Sequence, residues 1–174
     1  CAAGITAISH AAQSGHMTTV RILLRHRADP LARDNTGETS IDYARQVKYH
    51  EVASLLERVT NFDAAGFHAL HHAARANDIA AIADLRDCGV SADLMTKGAA
   101  QSTALLLAAG CGHDAAVQLL LDRNASANTV DAEGHTPLMK AAGCGSMLCA
   151  KLLLQHKADS SLRTKTFFSK TALD

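Results

Sequence analysis

The sequence predicts an all-α protein, a solenoid of helix-turn-helix units joined by β-turn loops. Three observations predict it. A short motif recurs with starts 33, 29, 35, 33 and 35 residues apart, and self-similarity at such a period is the signature of a repeat architecture. Turn and helix-capping residues stand at fixed offsets around each copy. Finally, apolar residues make up 48% of the chain but aromatic ones only 3%, with no Trp. Large rings normally supply much of a core's volume; Ala and Leu in their place point to thin layers of closely spaced helices.

The copies are Thr6-Ala-Ile-Ser-His-Ala-Ala12, Thr39-Ser-Ile-Asp-Tyr-Ala-Arg45, His68-Ala-Leu-His-His-Ala-Ala74, Thr103-Ala-Leu-Leu-Leu-Ala-Ala109, Thr136-Pro-Leu-Met-Lys-Ala-Ala142 and a short Thr171-Ala-Leu-Asp174. Ahead of three of them lies Asp-x-x-Gly, at Asp34/Gly37, Asp63/Gly66 and Asp131/Gly134. This is turn chemistry, with Gly supplying the backbone freedom. Thr before the apolar run is a helix N-cap whose hydroxyl accepts an orphan N–H. Pro137 follows Thr136 at the first helical position, where its missing donor is harmless. Gly15 and Gly112 are placed to end first helices in the left-handed conformation. Second helices follow, with Val20, Leu23 and Leu24, or Val117, Leu120 and Leu121, at i, i+3 and i+4. Helices this short are marginal alone and persist by stacking on neighbours.

These residues resemble the ankyrin repeat, and the resemblance runs along essentially the whole chain. It implies repeats one and two in residues 1–60, the second cap-like, and repeats three to five plus a truncated sixth in 61–174. The second unit departs from the pattern: Asp42-Tyr43-Ala44-Arg45 replaces His-x-Ala-Ala, no Gly closes its first helix at Lys48-Tyr49, and the connection to repeat three is four residues short. A seam near Asn61 and an ordinary shortened turn both account for this. The wider spacings put two extra residues near Lys97–Ser102 and Thr166–Lys170. Insertions in such arrays fall on one face, often the binding face; drift in an exposed turn is the alternative.

Composition excludes several functions. Lys+Arg and Asp+Glu are equal at 17 each and dispersed, so the basic stripe of a nucleic-acid binder is missing. No apolar run reaches the roughly 18–20 residues that span a bilayer, and no direct membrane insertion is expected. Five cysteines without a CxxC pair read as free thiols of an intracellular, reducing compartment, the cytoplasm first, with nucleus or organelle interior open. A start at Cys1 and a stop inside a motif suggest an excerpt of a longer protein.

No phosphate loop, His-Glu-x-x-His or Gly-x-Ser-x-Gly motif is present, so no catalytic residue, cofactor or metal is expected and the chain is read as no enzyme. His68 and His72 share a helix face at i, i+4, as zinc ligands can; His71, however, holds the place of the ankyrin motif histidine, which makes structural hydrogen bonds, and His68 the capping place. Cys111 and Cys144 stand at the same place in adjacent repeats. Stacked helices lie roughly 8–10 Å apart, and a disulfide needs Cα atoms within about 7 Å, so neutral packing is the expectation. A redox role would need a neighbouring base, for which His113 is the candidate.

The resemblance implies a non-catalytic protein–protein interaction module, a scaffold, adaptor or subunit of a larger assembly, that binds its partner on the concave surface of turn tips and inner helices. The alternative is the substrate-recruiting ankyrin region of a larger enzyme, channel or ubiquitin-ligase adaptor. Carried over repeat by repeat, the partner surface comprises Phe67 and Arg75 in repeat three. Repeat four adds Ala99, Ala100, Ser102, Gly110 and Cys111. Repeat five adds Glu133, His135, Gly143 and Cys144, and Phe167 and Phe168 follow. Small side chains between aromatic anchors suit an apolar helix or extended segment. Equally, Gly110 and Gly143 could ease a frayed helix end, with Phe167 and Phe168 packing under a missing repeat.

Overall fold

The structure, a computed structural model, describes residues 4–65 and 67–164. Its helices come in pairs: α1 (Ala7–Gln13) with α2 (Met17–Arg25), α3 (Ser40–Gln46) with α4 (His50–Thr60), α5 (Ala69–Arg75) with α6 (Ile79–Asp87), α7 (Ala104–Gly110) with α8 (Asp114–Asp122), and α9 (Pro137–Cys144) with α10 (Met147–Gln155). Between pairs the chain makes β-turn loops, with isolated antiparallel bridges at Phe62–His68 and Met95–Thr103. The all-α repeat fold expected from the motif spacing is the fold observed.

Each first helix starts as the capping residues dictate. Oγ1 of Thr6, Thr39, Thr103 and Thr136 accepts the N–H three residues on, at 3.2–3.4 Å. In repeat three His68 takes over, its Nδ1 accepting Leu70 N–H at 3.1 Å. Each first helix ends in a left-handed corner, at Gly15, Lys48, Asn77, Gly112 and Gly145. There the next N–H reaches back five residues, as from His16 to Ala11 O and from His113 to Ala108 O, both 3.0 Å. That is the Schellman closure. Lys48 and Asn77 adopt it without glycine, so the second repeat closes its first helix despite lacking the Gly.

The chain divides into two compact units, Cys1–Asn61 with Asp87–Gly89, and Phe62–Arg86 with Val90–Asp174. In the first, α1 packs on α3, and Ile8, Ala12, Val20, Ile41, Ala44, Val52 and Leu56 form the core. In the second, α5 packs on α7 and α7 on α9. Leu70, Ala74, Ile82, Leu105, Ala109, Val117, Leu120 and Leu153 are wholly buried there. Ala at the helix contacts allows the close approach. A buried Leu such as Leu120 is worth about 2–5 kcal/mol against Ala.

Candidate protein-binding face of repeats three to five

The turns ahead of the first helices of repeats two, three and five are backbone fingers, each organised by one aspartate. In repeats two, three and five its N–H donates to the carbonyl four residues on, Asp34 to Glu38, Asp63 to Phe67 and Asp131 to His135, at 2.8–3.1 Å. Its Oδ1 accepts two N–H groups of the turn: Thr36 and Glu38, Ala65 and Phe67, Glu133 and His135. The second oxygen meets the first helix, always nine residues on. Asp34 Oδ2 accepts Tyr43 O–H at 2.5 Å, Asp63 Oδ2 meets His72 Nε2 at 2.7 Å, and Asp131 Oδ2 meets Lys140 Nζ at 2.9 Å. Each finger is thereby latched to its own helix. Hydrogen bonds from Thr36 and Tyr43 hold the Asp34 carboxyl well below the usual range, and the Asp34 bond pushes Tyr43 up to about 12. Burial would raise Asp131, but Lys140 and the His135 N–H hold it below its ordinary value.

Finger four differs. Thr96 stands where the aspartate would, and its N–H donates to Ser102 O while Ser102 N–H donates to its Oγ1, each at 2.9 Å. The two extra residues fit inside this loop, where Gly98 and Gln101 have positive φ. The helix position that carries the latch elsewhere is Leu107, whose aliphatic chain offers no polar group. Instead the tip rests on the next finger, Ala132 N–H donating to Ala100 O at 3.2 Å.

The histidines of repeat three are absorbed locally. Buried His71 accepts His68 N–H on Nδ1 at 2.9 Å, and its Nε2 donates to Leu94 O at 2.8 Å. Burial holds its pKa down. His68 caps the helix and His72 latches the finger. Among the described residues no group of three or more His, Cys, Asp and Glu could hold a metal ion, and no helix is long and apolar enough to cross a membrane.

The residues expected to bind a partner fall into three groups. Phe67 is half-buried, 6.0 Å from the His71 ring and 5.6 Å from His72, with the Arg75 guanidinium 5.6 Å over its face. Exposed residues are Arg75, Ala99, Ala100, Gly110, Cys111, Glu133, Gly143 and Cys144, with His135 partly so. Ser102 is only 9% exposed and tied to Thr96, so it shapes finger four from beneath. Phe167 and Phe168 lie outside the described residues, as do Thr166–Lys170 and Thr171.

Gly110 and Gly143 are helical, not left-handed. A Cβ on Gly110 would meet only the Lys140 side chain, at 3.8 Å or more, and one on Gly143 nothing within 4 Å. Cys111 and Cys144 prove unlike. Both are exposed, but the Cys144 thiol is turned onto two carbonyls, its Sγ 3.2 Å from Ala109 O and 3.3 Å from Ala141 O. Sequence reading missed Cys149, a buried thiol that donates to Asp114 Oδ1 at 3.0 Å beside Ser146 Oγ at 3.0 Å. Burial first, and that bond, push it up to about 11. It also missed the latches. The nine-residue interval from Asp to Tyr43, His72 or Lys140 was there to be found once the repeats were aligned.

Comparison with known proteins gives a consistent result. The profile of three ankyrin-repeat copies matches residues 70–164, and that of a single ankyrin repeat residues 3–35. The chain is 42% identical over 53 residues to ARF GTPase-activating protein GIT1 of Homo sapiens, covering 30% of the chain and 7% of that protein. It is 36% identical over 56 residues to human GIT2, covering 32% and 7%, and 38% identical over 53 residues to the GIT2 of Mus musculus, covering 30% and 8%. The chain thus spans under a tenth of the length of these relatives. Capped helix pairs, fingers and matched profiles agree: the chain belongs to the ankyrin-repeat family, whose repeats are protein-interaction modules that bind protein partners and are generally non-catalytic.

Proposed function

We propose that residues 61–174 hold a partner protein on the finger tips and exposed first-helix edges of repeats three to five, as a scaffold, adaptor or subunit of a larger assembly. One observation carries this reading. Gly110 and Gly143 occupy equivalent helical positions on the exposed edge, with room for a methyl group. Gly in a helix is up to about 1 kcal/mol less favourable than Ala. Among the described residues nothing is seen to compensate that loss, which supports a small side chain kept for something else: close approach of a partner helix or extended segment. Phe67 supplies an aromatic anchor.

The test is Cys111→Glu with Gly143→Glu in the full-length protein; Cys144 is spared because its thiol is engaged. The reading expects affinity capture to lose partners while the circular dichroism spectrum is kept. A folded variant that captures them at wild-type strength removes this face as the site. Residues 1–60 are read as a separate portion with its own cap-like end; limited proteolysis that never cuts between Val59 and Ala65 would count against that division.

A second reading makes the repeats the substrate-recruiting region of a larger enzyme, channel or ubiquitin-ligase adaptor. It is favoured by the matched relatives, which are named as ARF GTPase-activating proteins and are more than ten times longer than the matched stretch. Identification of the complete reading frame separates the two.

A further inference from the structure

Two cations of repeats three and four stand over aromatic rings. The Lys97 ammonium lies 4.2 Å over the Phe62 ring and the Arg75 guanidinium 5.6 Å over the Phe67 ring. Both rings contact the buried His71 ring, with centroids 6.5 Å and 6.0 Å away, so the contacts run from Lys97 through Phe62, His71 and Phe67 to Arg75. Both cations are exposed. Among the described residues neither is in an ion pair. By contrast Lys140 is bound to Asp131 and Arg45 to Glu57. The local carboxylate, Asp63, already accepts two backbone N–H groups and His72. A ring orients a cation without neutralising it. Lys97 also sits in finger four, the finger without an aspartate latch, in the same loop as Ala99 and Ala100.

Resting on the binding face proposed above, we infer that its partner is an acidic segment carrying apolar residues. Its carboxylates pair with Arg75 and Lys97, and an apolar side chain seats on the Leu107 and Gly110 floor of repeat four. The two cations provide attraction and register, the small floor provides contact. A neutral or basic segment of the same shape leaves both cations facing it without a counter-charge.

The experiment titrates the full chain with two fluorescein-labelled peptides of equal length, one of alternating Glu and Leu and one with Gln for every Glu, followed by anisotropy. Binding of the acidic peptide that weakens as salt rises, and by about two- to fivefold for each of Arg75→Gln and Lys97→Gln, supports the inference. Thermal midpoints of both variants show that the face is intact. Equal binding of the two peptides, lost in Gly143→Glu, overturns the acidic preference while leaving the binding face in place. Acidic-peptide binding that ignores both cation variants and Gly143→Glu overturns both.

Discussion

Asp131 and Lys140, nine residues apart, are joined at 2.9 Å between Oδ2 and Nζ, and the carboxylate is only 7% exposed. The same interval joins Asp63 to His72, but that pair is 41% and 56% exposed. Burial decides which latch matters. Lys140→Met leaves a shielded carboxylate short of its main counter-charge and should lower stability by about 1–2 kcal/mol. His72→Gln hands Asp63 to water and should change it by less than about 0.5 kcal/mol. Urea midpoints of the two variants should therefore separate clearly, and equal midpoints would refute the burial argument.

Gly143 and Gly112 should respond oppositely to alanine. Gly143→Ala adds a methyl group in open space to a helix and should stabilise by up to about 1 kcal/mol. Gly112, at φ +70°, is the corner itself, and Gly112→Ala should destabilise by roughly 1–2 kcal/mol. Thermal melts of the pair give the signs directly.

His71 carries a pH signature. Its folded pKa lies below the ordinary 6.5 because burial disfavours the cation, although the Leu94 carbonyl works the other way. A depressed value means that the unfolded chain binds the proton first. The contribution is therefore whole above pH 6.5 and declines as pH falls through 6.5 toward the lower folded value. The melting midpoint should drop on acidification over this range. His71→Asn should be less stable at neutral pH and should show a flatter profile; an unchanged slope would show that His71 is not its source.

Thiol accessibility should follow the geometry. Under native conditions at neutral pH, iodoacetamide should label exposed Cys111 first. Cys144, turned onto two carbonyls, should follow, and Cys149, pushed up to about 11, should wait for unfolding. Mass spectrometry of timed samples reads the order, and early labelling of Cys149 would contradict its bond to Asp114.

The fold was legible because capping threonines, finger aspartates and apolar spacing are local features that act through nearest neighbours, and the chain repeats them. The histidine at 68 was legible as a cap for the same reason. What sequence could not reveal was direction. Cys111 and Cys144 look equivalent on paper, yet α9 runs one residue further than α7, and the Cys144 thiol meets the Ala109 and Ala141 carbonyls. Ser102 counted as surface because its turn position was carried over from the ankyrin pattern, but its two hydrogen bonds with Thr96 fold it under. Lys97 meets Phe62 one repeat away, each six residues ahead of its motif; the period aligns the two positions but does not say that their side chains touch.

The left-handed corners are filled by Gly15, Lys48, Asn77, Gly112 and Gly145, with φ between 55° and 73° throughout. Each helix pair therefore turns on the same joint, whichever residue stands there. Joints that are alike make modules exchangeable: a pair can be duplicated, lost or traded without refitting the pieces on either side. Ancestry can then rewrite what a repeat displays and keep how it is framed.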